Sequence, residues 1–265
     1  MLDSHSEMAI PPETGFLTRV EKLSGRGDRL RRNFARIVLS SPHGTDFELS
    51  EDALRHEFIN IKPFTVADGF RAFYRLYANR FGKPRWGDKT PIYAKSLNQI
   101  RAVLPEARFI HLIRDGRDVA LSLRHMWFSP GASVEDQAKY WREFVEAARH
   151  DGAGHRDYLE VRYESLVLQT EETLRRVCRF IELDYEDAML SYYSRTPERL
   201  REHKGGILPD GTVQTQEERI RQQLRTTKPP DPSCVFAWRT KMSVKERDAF
   251  NLVAGDLLRE LGYEV

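Results

Sequence analysis

The feature that most constrains this chain is a five-residue run, Phe109-Ile110-His111-Leu112-Ile113, that passes without a spacer into Arg114-Asp115-Gly116-Arg117-Asp118 and then into a helical pattern. A run this short and this apolar fits a buried parallel strand. The next residues place Val119, Ala120, Leu123 and Trp127 on one inward helical face. Strand, tight turn and helix therefore follow one another directly.

The alternation continues on both sides. Upstream, Tyr93, Leu97, Ile100 and Leu104 recur at helical spacing, and Pro105 closes that helix. Downstream, Ser133 and Asp136 form a capping box ahead of Val134, Ala138, Trp141, Val145 and Ala148. Residues 158–163 read as a second strand. Thr170 opens a helix with Leu174, Val177, Cys178 and Ile181 inward. The pair Ser243 and Glu246 starts a last helix that buries Phe250, Val253, Ala254, Leu257, Leu258 and Leu261 and ends before Gly262. This order predicts an α/β fold, a parallel sheet flanked by helices, in one domain over residues 1–265. Ligands of such sheets gather at the carboxyl ends of strands.

Other segments are less patterned. Residues 21–85 read as irregular and polar, with amphipathic pieces at 30–39 and 66–81, the latter capped by Asp68. Residues 194–232 are polar and rich in Gly and Pro, and read as loops around a short helix. The net charge of +2 excludes a global polyanion-binding role, so no nucleic-acid partner is expected and any basic site must be local. Two cysteines make no disulfide framework, and no apolar run is long enough to span a membrane. The polar start is no signal peptide, so a cytoplasmic location is expected.

Arg114 falls at the carboxyl edge of the strand. The helix start there offers N–H groups and partial positive charge to an anion, and Arg adds a planar fork suited to phosphate. Ser122, about two turns on, offers a hydroxyl from the same helix. Gly116 lets the backbone turn tightly. The same residues also read as a structural Arg–Asp salt bridge, and Arg117 and Asp118 are expected to be structural.

Strand, then Arg114-Asp115-Gly116-Arg117-Asp118-x-x-x-Ser122, resembles the 3′-phosphate-binding motif of the sulfotransferases that use 3′-phosphoadenosine 5′-phosphosulfate (PAPS). Trp86-Gly87-Asp88-Lys89-Thr90-Pro91 is similar to a Lys-containing segment of the bacterial and tyrosylprotein branches. Val161-Arg162-Tyr163-Glu164-Ser165-Leu166 is similar to the family's Arg-Tyr-Glu-x-Leu strand end. Trp238-Arg239 and Leu261-Gly262-Tyr263 fit its C-terminal pattern. The resemblance implies a P-loop-NTPase-like sulfotransferase fold. It implies PAPS as sulfuryl donor, PAP as product, no required metal, and a hydroxyl-bearing acceptor (carbohydrate, lipid, peptide or natural product). A homo-oligomer is compatible with it.

The resemblance also assigns roles. Glu13, after Pro11-Pro12, alone reads as a solvated loop carboxylate; with Thr14 it matches the Glu-Thr pair of the tyrosylprotein branch and becomes the general base. Lys89 becomes the cation near the bridging oxygen, although beside Asp88 it equally reads as an ion pair. Arg114 and Ser122 would hold the 3′-phosphate and Tyr163 would lie near adenine. Lys228, Ser233 and Arg239 are further cofactor contacts. His5 and His111 are alternative bases; by position His5 reads as a surface residue and His111 as a core one.

One family element is not found. Relatives carry a first strand and a Pro-Arg-Ser-Gly-Thr-Thr loop that cradles the 5′-phosphosulfate; here Ser24-Gly25-Arg26-Gly27 is the nearest Gly-containing basic stretch, without a preceding strand. The expectation is a sheet missing its first strand, a chain begun at an internal Met, and weak PAPS binding by the literal 265 residues. The alternative to an enzyme is a truncated or degenerate, non-catalytic binding protein with this fold. A P-loop kinase would need Gly-x-x-x-x-Gly-Lys-Ser/Thr, which the sequence lacks.

Overall fold

The computed structural model describes every residue except 24, 42, 125, 127 and 208–211. The expectation for Trp127 thus lies outside the described residues. The chain divides into two compact units, one of Met1–Tyr93, Asn98–Glu106 and Tyr185–Pro229, the other of Ala94–Leu97, Ala107–Asp184 and Pro230–Val265.

The second unit holds the short apolar run at 109–113. Phe109–Ile113 is a strand and pairs in parallel with Tyr158–Arg162, from Phe109 opposite Tyr158 to Ile113 opposite Arg162. The second strand stops one residue early because Tyr163 begins the helix Tyr163–Leu168. The first strand is less buried than its apolar run suggests. Alternate side chains face opposite ways, so Ile113 (1% exposed) joins the core while Leu112 is 48% exposed.

Three helices enclose that core: Gly116–Leu123, Val134–Gly152 and Val244–Glu260. Their buried residues include Ala120, Trp141, Val145, Phe250 and Leu258. The Ser243–Glu246 capping box forms as expected. Ser133 also caps its helix by accepting the Asp136 N–H, but the reciprocal bond runs from the Ser133 hydroxyl to the Asp136 carboxylate instead of from the backbone. Thr170–Ile181 buries Leu174, Val177, Cys178 and Ile181.

His111 is half-buried in the strand and is not among the core residues. Its Nδ1 pairs with the Tyr158 hydroxyl at 2.5 Å. Burial lowers its pKa from 6.5 to about 4, with Glu160 opposing the shift and Arg149 adding to it. The unfolded chain therefore holds this proton at pH values where the folded chain does not. Stability should rise with pH between about 4 and 6.5, by at most about 3 kcal/mol from this residue. In denaturant titrations across that range His111→Gln should flatten the rise; an unchanged slope would place its source elsewhere.

The first unit is more ordered than its sequence suggests. The amphipathic pieces expected at 30–39 and 66–81 are the helices Gly27–Leu39 and Val66–Asn79, and a further helix, Glu51–Ile59, lies in the stretch between them that reads as irregular. Glu51–Ile59 escapes the pattern because only Leu54 and Phe58 are buried, too few to mark a face. Thr65, not Asp68, caps the third helix, with Asp68 as the reciprocal partner of a capping box. Phe16, Phe34, Phe70 and Phe73 pack as an aromatic core, Phe16 edge-on to Phe73 at 5.0 Å between ring centroids. Residues 194–232 also carry more structure than loops. They include much of the helix Tyr192–Arg199, the helix Gln216–Gln223, and an antiparallel pair, Gly206–Ile207 with Val213–Gln214. A two-residue parallel pair joins Met8–Ala9 to Arg85–Trp86 and is extended by the Gly87 N–H donating to the Ala9 carbonyl. No helix among the described residues is long and apolar enough to cross a membrane.

Candidate functional site

Arg114 leaves the strand end as the sequence predicts. Its guanidinium carbon stands 4.7 Å from the centroid of the Tyr163 ring, so these two candidates are brought together. One Arg114 nitrogen donates to the Cys234 carbonyl at 2.7 Å and lies 3.8 Å from an Asp118 carboxylate oxygen. Its Nε is buried with no hydrogen-bond partner among the described residues. A buried guanidinium N–H without an acceptor is costly, and an anionic oxygen is the acceptor it suits. The residues here fit a phosphate on that ground.

The rest of the motif is scaffold. Asp115 is fully buried, caps the helix by accepting the Arg117 N–H at 2.9 Å, and so uses one of the N–H groups expected to face a ligand. Arg117 is 1% exposed. It is held by both Asp115 oxygens at 3.0 and 2.8 Å and lies 3.6 Å over the Trp238 ring. Asp118 accepts the Trp238 N–H at 2.9 Å, and burial raises its carboxyl above the usual range. These bonds tie the C-terminal segment to the strand end that carries Arg114. Gly116 is needed for a different reason from the one its sequence suggests. Its φ is not left-handed; a Cβ there would stand 2.5 Å from Trp141 and 2.6 Å from Phe250.

Glu164, which pattern reading did not single out, completes the scaffold. It accepts the Asp115 N–H at 2.9 Å and the Tyr263 hydroxyl at 3.0 Å. Its adjacency to Tyr163 in the resembling segment was the one available signal. Ser122 sits exposed on its helix, and Ser233 is exposed, its N–H given to Asp231 at 2.9 Å. Arg239 pairs with both oxygens of Glu264 at 2.9 and 2.8 Å. In the other unit, Lys228 is exposed and its carbonyl accepts the Tyr192 hydroxyl.

Glu13 and Lys89, 76 residues apart, form an ion pair in the first unit. Both stand on the two segments that leave the short parallel pair, beyond its carboxyl ends. Beneath them, the Asp88 carboxylate accepts the Thr14 hydroxyl at 2.6 Å, the Tyr74 hydroxyl at 2.5 Å and the Thr90 hydroxyl at 2.7 Å. Burial raises the Asp88 carboxyl above its usual range, and those three hydroxyls oppose the rise. The sequence alternative of an Asp88–Lys89 ion pair is not what forms; Lys89 reaches Glu13. His5 is not a surface residue either. It is 2% exposed, and its Nδ1 accepts the Glu7 N–H at 3.0 Å.

Comparison with known proteins bears on the whole arrangement. The chain is 27% identical over 291 residues to the nodulation protein NoeE of Sinorhizobium fredii, covering all of this chain and 62% of that protein. It is 25% identical over 199 residues to protein-tyrosine sulfotransferase A of Caenorhabditis elegans, covering 72% of this chain and 48% of the relative. The chain thus spans about three fifths and about half of those two relatives. Among solved structures, the sulfotransferase domain from the curacin biosynthetic pathway aligns over all of this chain and 92% of its own, with a TM-score of 0.59 and 16% identity. The sulfotransferase domain of the Synechococcus PCC 7002 olefin synthase aligns over all of this chain and 88% of its own, with a TM-score of 0.56 and 19% identity. These likenesses show the α/β sulfotransferase fold. A family model described as "Sulfotransferase family" matches residues 1–187, and the chain belongs to that family.

Proposed function

We propose that this protein moves a sulfuryl group from PAPS to a hydroxyl of an acceptor. The observation that carries the reading is the pairing of Glu13 with Lys89, a carboxylate and an ammonium that the fold brings together from distant segments. PAPS, when bound, supplies a sulfuryl group on a phosphate leaving group. Glu13 takes the proton of the acceptor hydroxyl as the new O–S bond forms. Lys89 offsets the negative charge left on the 5′-phosphate oxygen as the old S–O bond breaks.

Arg114 and Ser122 hold the 3′-phosphate, the first through its unsatisfied Nε. Tyr163, already packed on Arg114, offers a face to the adenine. Lys228, Ser233 and Arg239 are secondary contacts of the nucleotide; Arg239 must leave Glu264 to serve. The acceptor meets residues 15–85 and 194–232. The acceptor carries its hydroxyl on a carbohydrate, lipid, peptide or natural product; the names of the protein-tyrosine sulfotransferases among the relatives support the peptide class.

The 3′-phosphate assignment has its own test. In calorimetric titrations of the full gene product, PAP should bind at least about tenfold more tightly than adenosine 5′-monophosphate, which differs from it only in lacking that phosphate. Equal affinities would remove Arg114 and Ser122 from the nucleotide site.

A further inference from the structure

A hydroxyl network joins the two segments that carry Glu13 and Lys89. The Leu17 N–H donates to the Tyr93 hydroxyl at 3.1 Å. That hydroxyl pairs with Thr14 at 2.6 Å, and Thr14 in turn donates to Asp88. The Thr14 N–H donates to the Thr90 hydroxyl at 3.0 Å, which also donates to Asp88. Tyr74, fully buried and stacked on Trp86 at 4.5 Å, gives its hydroxyl to the same carboxylate. Each hydroxyl has one proton, and with Asp88 as the acceptor all four hydroxyl–hydroxyl and hydroxyl–carboxylate bonds are filled. Three chains of donors end on one carboxylate.

The sequence positions of the bonded groups matter. Thr14 follows Glu13, while Asp88 and Thr90 flank Lys89. Thr14, Asp88 and Thr90 bond to one another, while the side chains of Glu13 and Lys89 beside them are 39% and 64% exposed. The two segments are paired by backbone only as far as Ala9 and Gly87, so side chains must hold them beyond that point.

We infer that Asp88 is a positioning residue that, through Thr14 and Thr90, sets the distance and direction between Glu13 and Lys89. Resting on the roles proposed above for that pair, the inference adds what fixes their geometry. Without the carboxylate, the Thr14 and Thr90 hydroxyls lose their shared acceptor and the two segments separate. The outward pair then spends less time in contact, and a small displacement of reacting groups costs rate more than binding.

The test compares Asp88→Asn, Thr14→Val and Thr14→Ser in the full gene product, each first checked for cooperative thermal unfolding. Lysines are reductively methylated with 13C, and the Lys89 signal is assigned by its loss in Lys89→Arg. In wild type the Lys89 signal should move when Glu13→Gln is introduced. Asp88→Asn and Thr14→Val should abolish that response, and Thr14→Ser should keep it. In sulfuryl transfer from PAPS the first two should lower kcat by at least about tenfold with KM for PAPS within about twofold, and Thr14→Ser should stay near wild type. Folded Asp88→Asn and Thr14→Val proteins that keep the Lys89 response would overturn the inference. So would a Thr14→Ser protein as impaired as Thr14→Val, since packing and not the hydroxyl would then be what counts. If Asp88→Asn does not fold, the two Thr14 variants decide. Absence of transfer by wild type would instead count against the proposed reaction, and the lysine signal would still decide the positioning role.

Discussion

Glu13→Gln should lower the turnover of sulfuryl transfer by about 10²–10⁴-fold and leave the affinity for PAP within about twofold. The substitution keeps the size of the side chain and removes only its ability to take a proton. Glu13 is part-exposed, 39% at the side chain, and its structural partner is Lys89, so the fold has little to lose. An exposed ion pair contributes about 0–1 kcal/mol to stability, far less than the barrier change a lost base produces. Melting temperature should therefore stay close to wild type while rate collapses. Rate and stability falling together would show that Glu13 holds the segment in place and does no proton transfer. A fall in PAP affinity as large as the fall in rate would move Glu13 from the chemistry to nucleotide binding.

The second large effect is expected at Arg114. Arg114→Ala should weaken PAP binding by about 10–100-fold, the scale of one to two charge-assisted hydrogen bonds. Rate at saturating PAPS should change less than affinity. Arg114→Lys should recover only part of the loss, because an ammonium keeps the charge but neither the planar fork nor the stacking on Tyr163. Arg114 also donates to the Cys234 carbonyl, so the variant must be shown to unfold cooperatively before its affinity is read. Equal PAP affinity in wild type and Arg114→Ala would withdraw the residue from the site.

How much of this could be read from the sequence depended on the range of the interaction. The strand Phe109–Ile113, the caps at Ser133 and Ser243 and the buried face of Thr170–Ile181 were legible because each is set by residues a few positions apart. Glu51–Ile59 was not, since two buried residues leave no period to read. Burial of the strand was overestimated for a related reason: an apolar run shows that it is apolar, and Leu112 shows that one face is not closed. The motif gave Arg114 its place at the strand end, but not the buried stack of Arg117 on Trp238 or the close approach of Trp141 to Gly116.

The candidate chemistry divides in the same way. Resemblance pointed to Glu13 and Lys89 separately, each with a bland reading of its own. Only the fold makes them partners, and only the fold shows Thr14 and Asp88, 74 residues apart, joined beneath them. Spacing along the chain carries no sign of such a bond. His5 shows the converse: in the sequence it looks like a free loop histidine, and in the fold it is buried beside its own backbone.

Transfer of a labelled sulfuryl group decides the account. The full gene product is incubated with [35S]PAPS and with carbohydrate, lipid, peptide and natural-product hydroxyl acceptors in turn. Label should appear on the hydroxyl of at least one class, with PAP formed in equal amount, and Glu13→Gln should slow its appearance by about 10²–10⁴-fold. Label that remains in the nucleotide, or leaves only as inorganic sulfate with every acceptor class, would contradict the account.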